Sequence, residues 1–323
     1  MSAAAQTKAG IDSPYAWRLA FVSMFCIGLG GGGIYLPVVG LKEIAAEFGG
    51  LRSVPSMAYM LGFFCMGMGG VLMGWLADRI GLRKVVMFGA CMIAGGLALS
   101  SLGSIWALYI GHGLMVGLLG NGAVYPPLLV YVTRWFDKRR GSAVAFISSG
   151  QYVAGVLWPW MFERGISTVG WETVMVVYGL VVAAVVVPAT FFLKPPPIAT
   201  AAAALPRVTV SEGRVAGLHP NLVQALICLA AFCCCIPMSI PSAHIVAFCG
   251  DIGIKPTHGA AMLSTMLAAA FVARQAWGAL ADRVGGLPQL FIRDMKTGKD
   301  RQLTSMDTQP LGAAWSPDGR QIA

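Results

Sequence analysis

Arg274 stands inside an otherwise apolar run, MLAAAFVARQAWGALADR, near the end of the long hydrophobic part of the chain. An Arg at hydrocarbon depth costs about 2.5 kcal/mol or more, so it must face a polar cavity or pair internally. A guanidinium is a rigid, permanently charged fork of N–H donors, and its chemistry is to clamp a carboxylate through two parallel hydrogen bonds. Further polar groups fall within apolar runs: Tyr35, His112, Asn121, Tyr125, Gln151, Tyr152 and His244. A phenol, amide or imidazole there can hydrogen-bond an anion, and a His can also carry a proton near neutral pH. The same groups can equally join one helix to another.

A second chemistry is written twice. GWLADRIGLRK, from Gly74 to Lys84, recurs as GALADRVGG, from Gly278 to Gly286. Each copy closes a long apolar run. Gly74 and Gly278 allow a neighbouring helix to approach closely. Asp78 and Asp282 are placed to meet a helix N-terminus or an Arg. Arg79 and Arg283 anchor a membrane edge, and Gly81, Arg83, Lys84 and Gly285 complete the loops. The basic cluster Arg134, Lys138, Arg139 and Arg140 is within reach of Asp78 if the second and fourth apolar runs are neighbours.

The elements that must position these groups follow from composition. Of 323 residues, 57% are hydrophobic and 11% charged, with mean hydropathy +0.71. Ordinary soluble domains carry about 25% charged residues. A disordered chain is excluded, and a soluble enzyme or a nucleic-acid binder is disfavoured despite the net charge of +9. Eight stretches are long enough to cross a bilayer: 16–38, 56–77, 85–103, 106–133, 142–163, 171–193, 220–248 and 259–282. Prolines 126 and 127 predict a kink in the fourth, and Pro237 and Pro241 a bend in the seventh. The first run is too long for a signal-peptide core, so no cleavage is expected. Lys and Arg divide unevenly between the loops, eleven against four, which places the N-terminus, the 78–84 and 134–141 loops and the 194–219 linker in the cytoplasm. The eight cysteines all lie in apolar stretches without CxxC or zinc spacing, so neither disulfides nor a metal is expected. GLGGGG, Gly28 to Gly33, matches a dinucleotide fingerprint by letter, but it lies inside an apolar helix with no strand before it, so tight helix packing is the expectation. No Walker lysine follows, and no nucleophile and base fall together in the spans. No cofactor and no enzymatic activity are expected.

A repeat with a period of about six helices means two related bundles. The repeated loop resembles the signature of the major facilitator superfamily, where it follows the second helix and recurs after the eighth. The stretch from Gly111 to Gly155, with Tyr-Pro, RWF and RRG, resembles the monocarboxylate and oxalate/formate branch, as do IPSAHIVAFCGDIGI and AFVARQAWGALADRVGG. The resemblance covers about residues 15–286. It implies an all-α membrane protein: a cytoplasmic N-terminus (1–15), a six-helix bundle (16–193), a linker (194–219) and a partial second bundle (220–286). It implies secondary transport of a small organic anion, a mono- or dicarboxylate, by alternating access across a lipid bilayer, with a coupled proton or exchanged anion. Arg274 then stands where the branch contacts its carboxylate substrate, and the first, fourth and fifth helices line the cavity. Some members carry a proton-coupling Asp one turn before that Arg; here the position is Ala270. The expected site is a multi-pass protein of a bacterial inner membrane with both termini cytoplasmic.

Residues 287–323 break the pattern, with nine charged residues in 37. TGKDRQLT followed by WSPDGRQIA resembles part of one blade of a TolB-type β-propeller, with turns at Thr297–Gly298 and Pro317–Gly319. The expectation is a transporter truncated after its eighth helix and joined to foreign sequence. The alternative is a membrane-anchored chain that does not transport.

Overall fold

The computed structural model describes residues 11–194, 220–284, 291–293 and 300–302. Its helices are α1 (Pro14–Val39), α2 (Leu41–Glu47), α3 (Ser53–Ile80), α4 (Leu82–Ser100), α5 (Ile105–Thr133), α6 (Arg140–Ser148), α7 (Gly150–Val169), α8 (Trp171–Ala189), α9 (Pro220–Asp251) and α10 (Pro256–Val284). Among the described residues, α1, α3, α4, α5 and the stretch Trp171–Phe192 are long and apolar enough to cross a membrane. The other three expected spans are helical too. The fifth is divided at Ser149 into α6 and α7, and α7 carries Glu163 and Arg164. α10 carries Arg274, Asp282 and Arg283 within 29 residues. The helices with the most chemistry are thus the less apolar ones.

Local signals set the ends. Pro14 opens α1, and the Ser13 hydroxyl accepts from the Ala16 amide at 3.2 Å, satisfying one of the free N–H groups of the first turn. α3 and α4 are joined by Gly81 alone, whose φ of +93° suits a residue without Cβ. The motif glycine at 81 is therefore a hinge between antiparallel helices rather than part of a longer loop.

α1 packs against α7, α3 and α4 against the first half of α5, and α8 against α4. One continuous apolar core runs through these, from Leu19 and Ile34 in α1 to Met175 and Val186 in α8. Large side chains such as Phe64, Val71, Leu180 and Phe191 face outward, as a lipid-facing surface requires. α10 lies on α6, α7 and α9, where Val246, Leu263 and Leu267 pack on Tyr152 and Val156.

The Gly-rich run of α1 is buried inside the helix, as expected. A Cβ on Gly32 would collide with Trp158 and Tyr178. Those aromatics donate to α1 carbonyls, Trp158 Nε1 to Gly28 at 3.0 Å and the Tyr178 hydroxyl to Leu29. The glycines exist so that an aromatic wall can reach the backbone.

The proline-bearing helices add local detail, and one expectation is revised. The fourth span departs from α-helix ahead of its prolines: Ile110–Asn121 is π-helical, and Gly122–Thr133 is α-helical through Pro126 and Pro127. Four glycines in that stretch, at 111, 113, 117 and 120, give the backbone the freedom to widen. α9 is helical throughout, with Pro237 and Pro241 inside it. A Cβ on Gly74 would meet nothing within 4 Å among the described residues, so the close approach expected there does not occur; its face opens onto a cavity.

In the tail, β1 (Phe291–Arg293) pairs antiparallel with β2 (Asp300–Gln302), Ile292 opposite Arg301. The expected turn at 297–298 and the WSPDGRQIA segment lie outside the described residues, as do Gly285 and the 195–219 linker.

Candidate functional site

Two tyrosines from two helices meet Arg274, and two more lie behind them. Arg274 of α10 is half-buried, with its guanidinium carbon 5.2 Å from the centre of the Tyr152 ring of α7. The same guanidinium reaches the Tyr125 phenol of α5. Tyr152 couples electrostatically to Tyr35 of α1, and Tyr35 to Tyr59 of α3. Tyr35 and Tyr59 are buried, whereas Tyr125 and Tyr152 are partly open. An aromatic face stabilises a cation, and phenol O–H groups can donate to an anion beside it. The ensemble is one fixed positive charge beside two tyrosines. That arrangement can hold a carboxylate and leave the rest of the molecule against tyrosine rings.

The other sequence-derived candidates are placed differently. Asn121 is buried, and its amide nitrogen donates to the Val116 carbonyl of its own helix at 3.1 Å. Its oxygen side faces Gly30 of α1. Gln151 lies against Gly31, with its Nε2 4.0 Å from the Met66 sulfur and its Oε1 buried without a hydrogen-bond partner. His244 is exposed on α9. Among the described residues no contact joins these three to Arg274. His112 is buried and shares a 2.8 Å hydrogen bond, through Nδ1, with the Ser100 hydroxyl. Its ring also lies near the Gly33 carbonyl, the one that loses its helical N–H to Pro37. His112 therefore joins α5 to α4, and its Nε2 is buried without a hydrogen-bond partner among the described residues.

Both copies of the repeated motif find partners, each of a different kind. Asp78 accepts from Arg134 at 3.3 Å, an exposed pair between α3 and the end of α5. Arg79 stacks on Trp75 at 3.9 Å. Asp282 instead receives two backbone N–H groups at the start of α6, Gly141 at 2.6 Å and Ser142 at 2.8 Å. It caps the helix where the dipole and free donors favour a carboxylate. Gly278 makes that approach possible: a Cβ there would strike Ala145 and the Gly141 carbonyl. Gln275 adds a 2.7 Å bond to the Ser149 hydroxyl. Arg283 is exposed.

At the opposite end of the same helices lies a second tie that sequence reasoning missed. Arg52 donates to both Asp251 oxygens at 2.6 and 2.9 Å, and Lys42 lies 3.3 Å away. Arg52 holds the Asp251 carboxyl down to about 2. In the sequence Lys42 and Arg52 count only among the four Lys and Arg of the less basic loops. The available signal was an isolated Asp directly after the seventh apolar run, on the side where both cations stood. Asp12 was missed too; its carboxylate accepts from the backbone N–H groups of Asp137, Lys138 and Arg139 at 3.0 to 3.4 Å.

Comparison with known proteins gives a consistent set of matches. The profile of the Major Facilitator Superfamily matches residues 19–293, beyond Gly286 where the pattern was expected to end. MFS-type transporter 1 of Ophiocordyceps sp. (strain BCC 1869) is 25% identical over 278 residues, covering 84% of this chain and 59% of that protein. Monocarboxylate transporter 13 of Rattus norvegicus is 24% identical, covering 85% of this chain and 63% of its own length. Monocarboxylate transporter 9 of Gallus gallus is 30% identical over 175 residues, covering 52% and 33%. The chain thus spans less than two thirds of these fungal and animal relatives.

Proposed function

Since the chain belongs to the Major Facilitator Superfamily, a family of multi-pass membrane transporters, we propose that it carries the substrate site of a secondary transporter for small organic anions, with a monocarboxylate as the simplest case. The observation that carries this is Arg274 among Tyr125 and Tyr152: a permanent cation half-buried in a helix bundle, with no carboxylate partner among the described residues. Two relatives named as monocarboxylate transporters support the same substrate class. Tyr35, which neighbours Tyr152, and His244 of α9 are the further residues assigned to that site.

Alternating access requires ties that break at one end while holding at the other. Asp282 on α6 and Asp251 on Arg52 fit those two roles. The excess of Lys and Arg on the motif end makes that end cytoplasmic. A proton or a second anion completes the proposed cycle.

The test is equilibrium binding of radiolabelled lactate and oxalate to the purified chain in detergent, with Arg274→Lys and Arg274→Ala. Lys keeps the charge but loses the fork. The expected result is a loss of affinity of about tenfold or more for Ala and a smaller loss for Lys. Binding unchanged in Arg274→Ala removes Arg274 from the site and the carboxylate reading with it.

A further inference from the structure

We infer that the cavity at the motif end of the bundle binds the headgroup of an anionic phospholipid. This cavity, of about 570 Å³, lies between α3, α4, α5 and the segment that follows α8. It shares no residue with the Arg274 site, so the two stand or fall separately.

Its rim is cationic. Arg83, Lys84, Arg134 and Lys194 line it, against Asp78 as the one lining carboxylate. Asp78 is already taken by Arg134. Arg83, Lys84 and Lys194 have no carboxylate in salt-bridge range among the described residues. Arg83 has only long contacts with the Phe191 and Leu193 carbonyls, at 3.4 and 3.3 Å, and Lys194 leans over the Tyr15 ring at 5.3 Å. α4 begins at this rim with no acidic residue in its first turn and no side-chain cap, so its dipole adds to the positive potential rather than cancelling it.

The depth of the cavity is apolar. Gly74, Pro126 and Val130 line it, Gly74 presents an open face, and Val71 and Trp75 of the same helix are exposed. A cationic rim over an apolar groove, at the edge of a membrane-spanning bundle, matches a phosphate joined to an acyl chain. A free anion would use the rim alone. A packed helix would leave three cations uncompensated. An anionic lipid satisfies both parts, and such lipids gather beside basic segments.

The test uses the purified 323-residue chain. It is reconstituted into vesicles of phosphatidylcholine with a minor share of phosphatidylglycerol, re-extracted, and its retained lipids are counted by mass spectrometry. The expected result is phosphatidylglycerol enriched about fivefold or more over its share in the vesicle. Arg83→Gln/Lys84→Gln/Lys194→Gln returns retention to the vesicle ratio. Val130→Trp, which fills the groove with every charge intact, also reduces it. Lys138→Gln/Arg139→Gln, exposed charges outside the cavity, leaves the enrichment in place. Each variant is checked for a monodisperse elution peak; if the triple variant fails this, the exposed Lys84→Gln alone must lower retention. Unchanged retention in the cavity variants overturns the inference, as does an equal loss in the Lys138/Arg139 control. Displacement by inorganic phosphate, with no effect of Val130→Trp, makes it a free-anion site and overturns the lipid assignment.

Discussion

Arg52 and Asp251 are 199 residues apart in sequence and are joined by two hydrogen bonds, 2.6 and 2.9 Å long. The pair ties the start of α3 to the end of α9, with Lys42 beside it at 3.3 Å. The Asp251 carboxyl is depressed to about 2, first by the Arg52 hydrogen bond. A depressed carboxyl contributes stability that is complete above its ordinary value of about 4 and drains as pH falls towards about 2. Spin labels on α2 and at the end of α9 should therefore hold one short distance at pH 5 and spread as the pH is lowered through that window. Asp251→Asn should show the spread distribution at every pH. A short distance in that variant would show that packing, not charge, holds this end.

Asp282 presents a different chemistry. Removing its oxygens strands two backbone N–H groups at the start of α6. Asp282→Ala should cost about 1–2 kcal/mol, read as a lower melting temperature in detergent. Asp78→Ala removes only an exposed pair and should cost about 0–1 kcal/mol. Equal losses would mean that the two copies of the motif do the same work.

Gly32 should not tolerate a side chain. Gly32→Ala forces Trp158 and Tyr178 away from α1 and should destabilise by about 1–3 kcal/mol. Gly74→Ala, which meets nothing, should be silent in the same melting experiment.

Tyr152 positions Arg274 through its ring. Tyr152→Phe keeps the face and should bind a monocarboxylate almost as the parent does. Tyr152→Leu loses the cation–π contact, worth about 0.5–2 kcal/mol, and should bind about 2- to 30-fold more weakly. The comparison separates a ring effect from a hydroxyl effect.

Much of this was legible in the sequence because the bilayer imposes a strict rule. Long apolar runs must be helices, and a charge inside one must have a reason. That logic singles out Arg274 as a candidate, the internal repeat singles out the two Asp-Arg motifs, and the meeting of Asp78 with the basic cluster is seen in its pair with Arg134. Tyr59 was not legible: it joins the tyrosine group through Tyr35, and its position relative to α1 depends on packing rather than on period. Asp251 was legible only as a lone carboxylate on the same side as Arg52 and Lys42, because its partners lie about two hundred residues upstream and their pairing depends on packing. The widened turns at 110–121 escaped for the opposite reason. Prolines are conspicuous break signals, whereas glycines spaced along an apolar run mark no particular helix type.

Arg274 sits unevenly between the two anchor points of the second-half helices. Along α10 it is eight residues from Asp282, about 12 Å of helix, and eighteen from Pro256, about 27 Å. A rigid tilt of about 10° pivoting at Asp282 would shift the guanidinium's backbone by about 2 Å, and the same tilt pivoting near Pro256 would shift it by about 5 Å. The choice of fulcrum, more than the size of the swing, governs whether the charge stays beside its aromatic neighbours or withdraws from them.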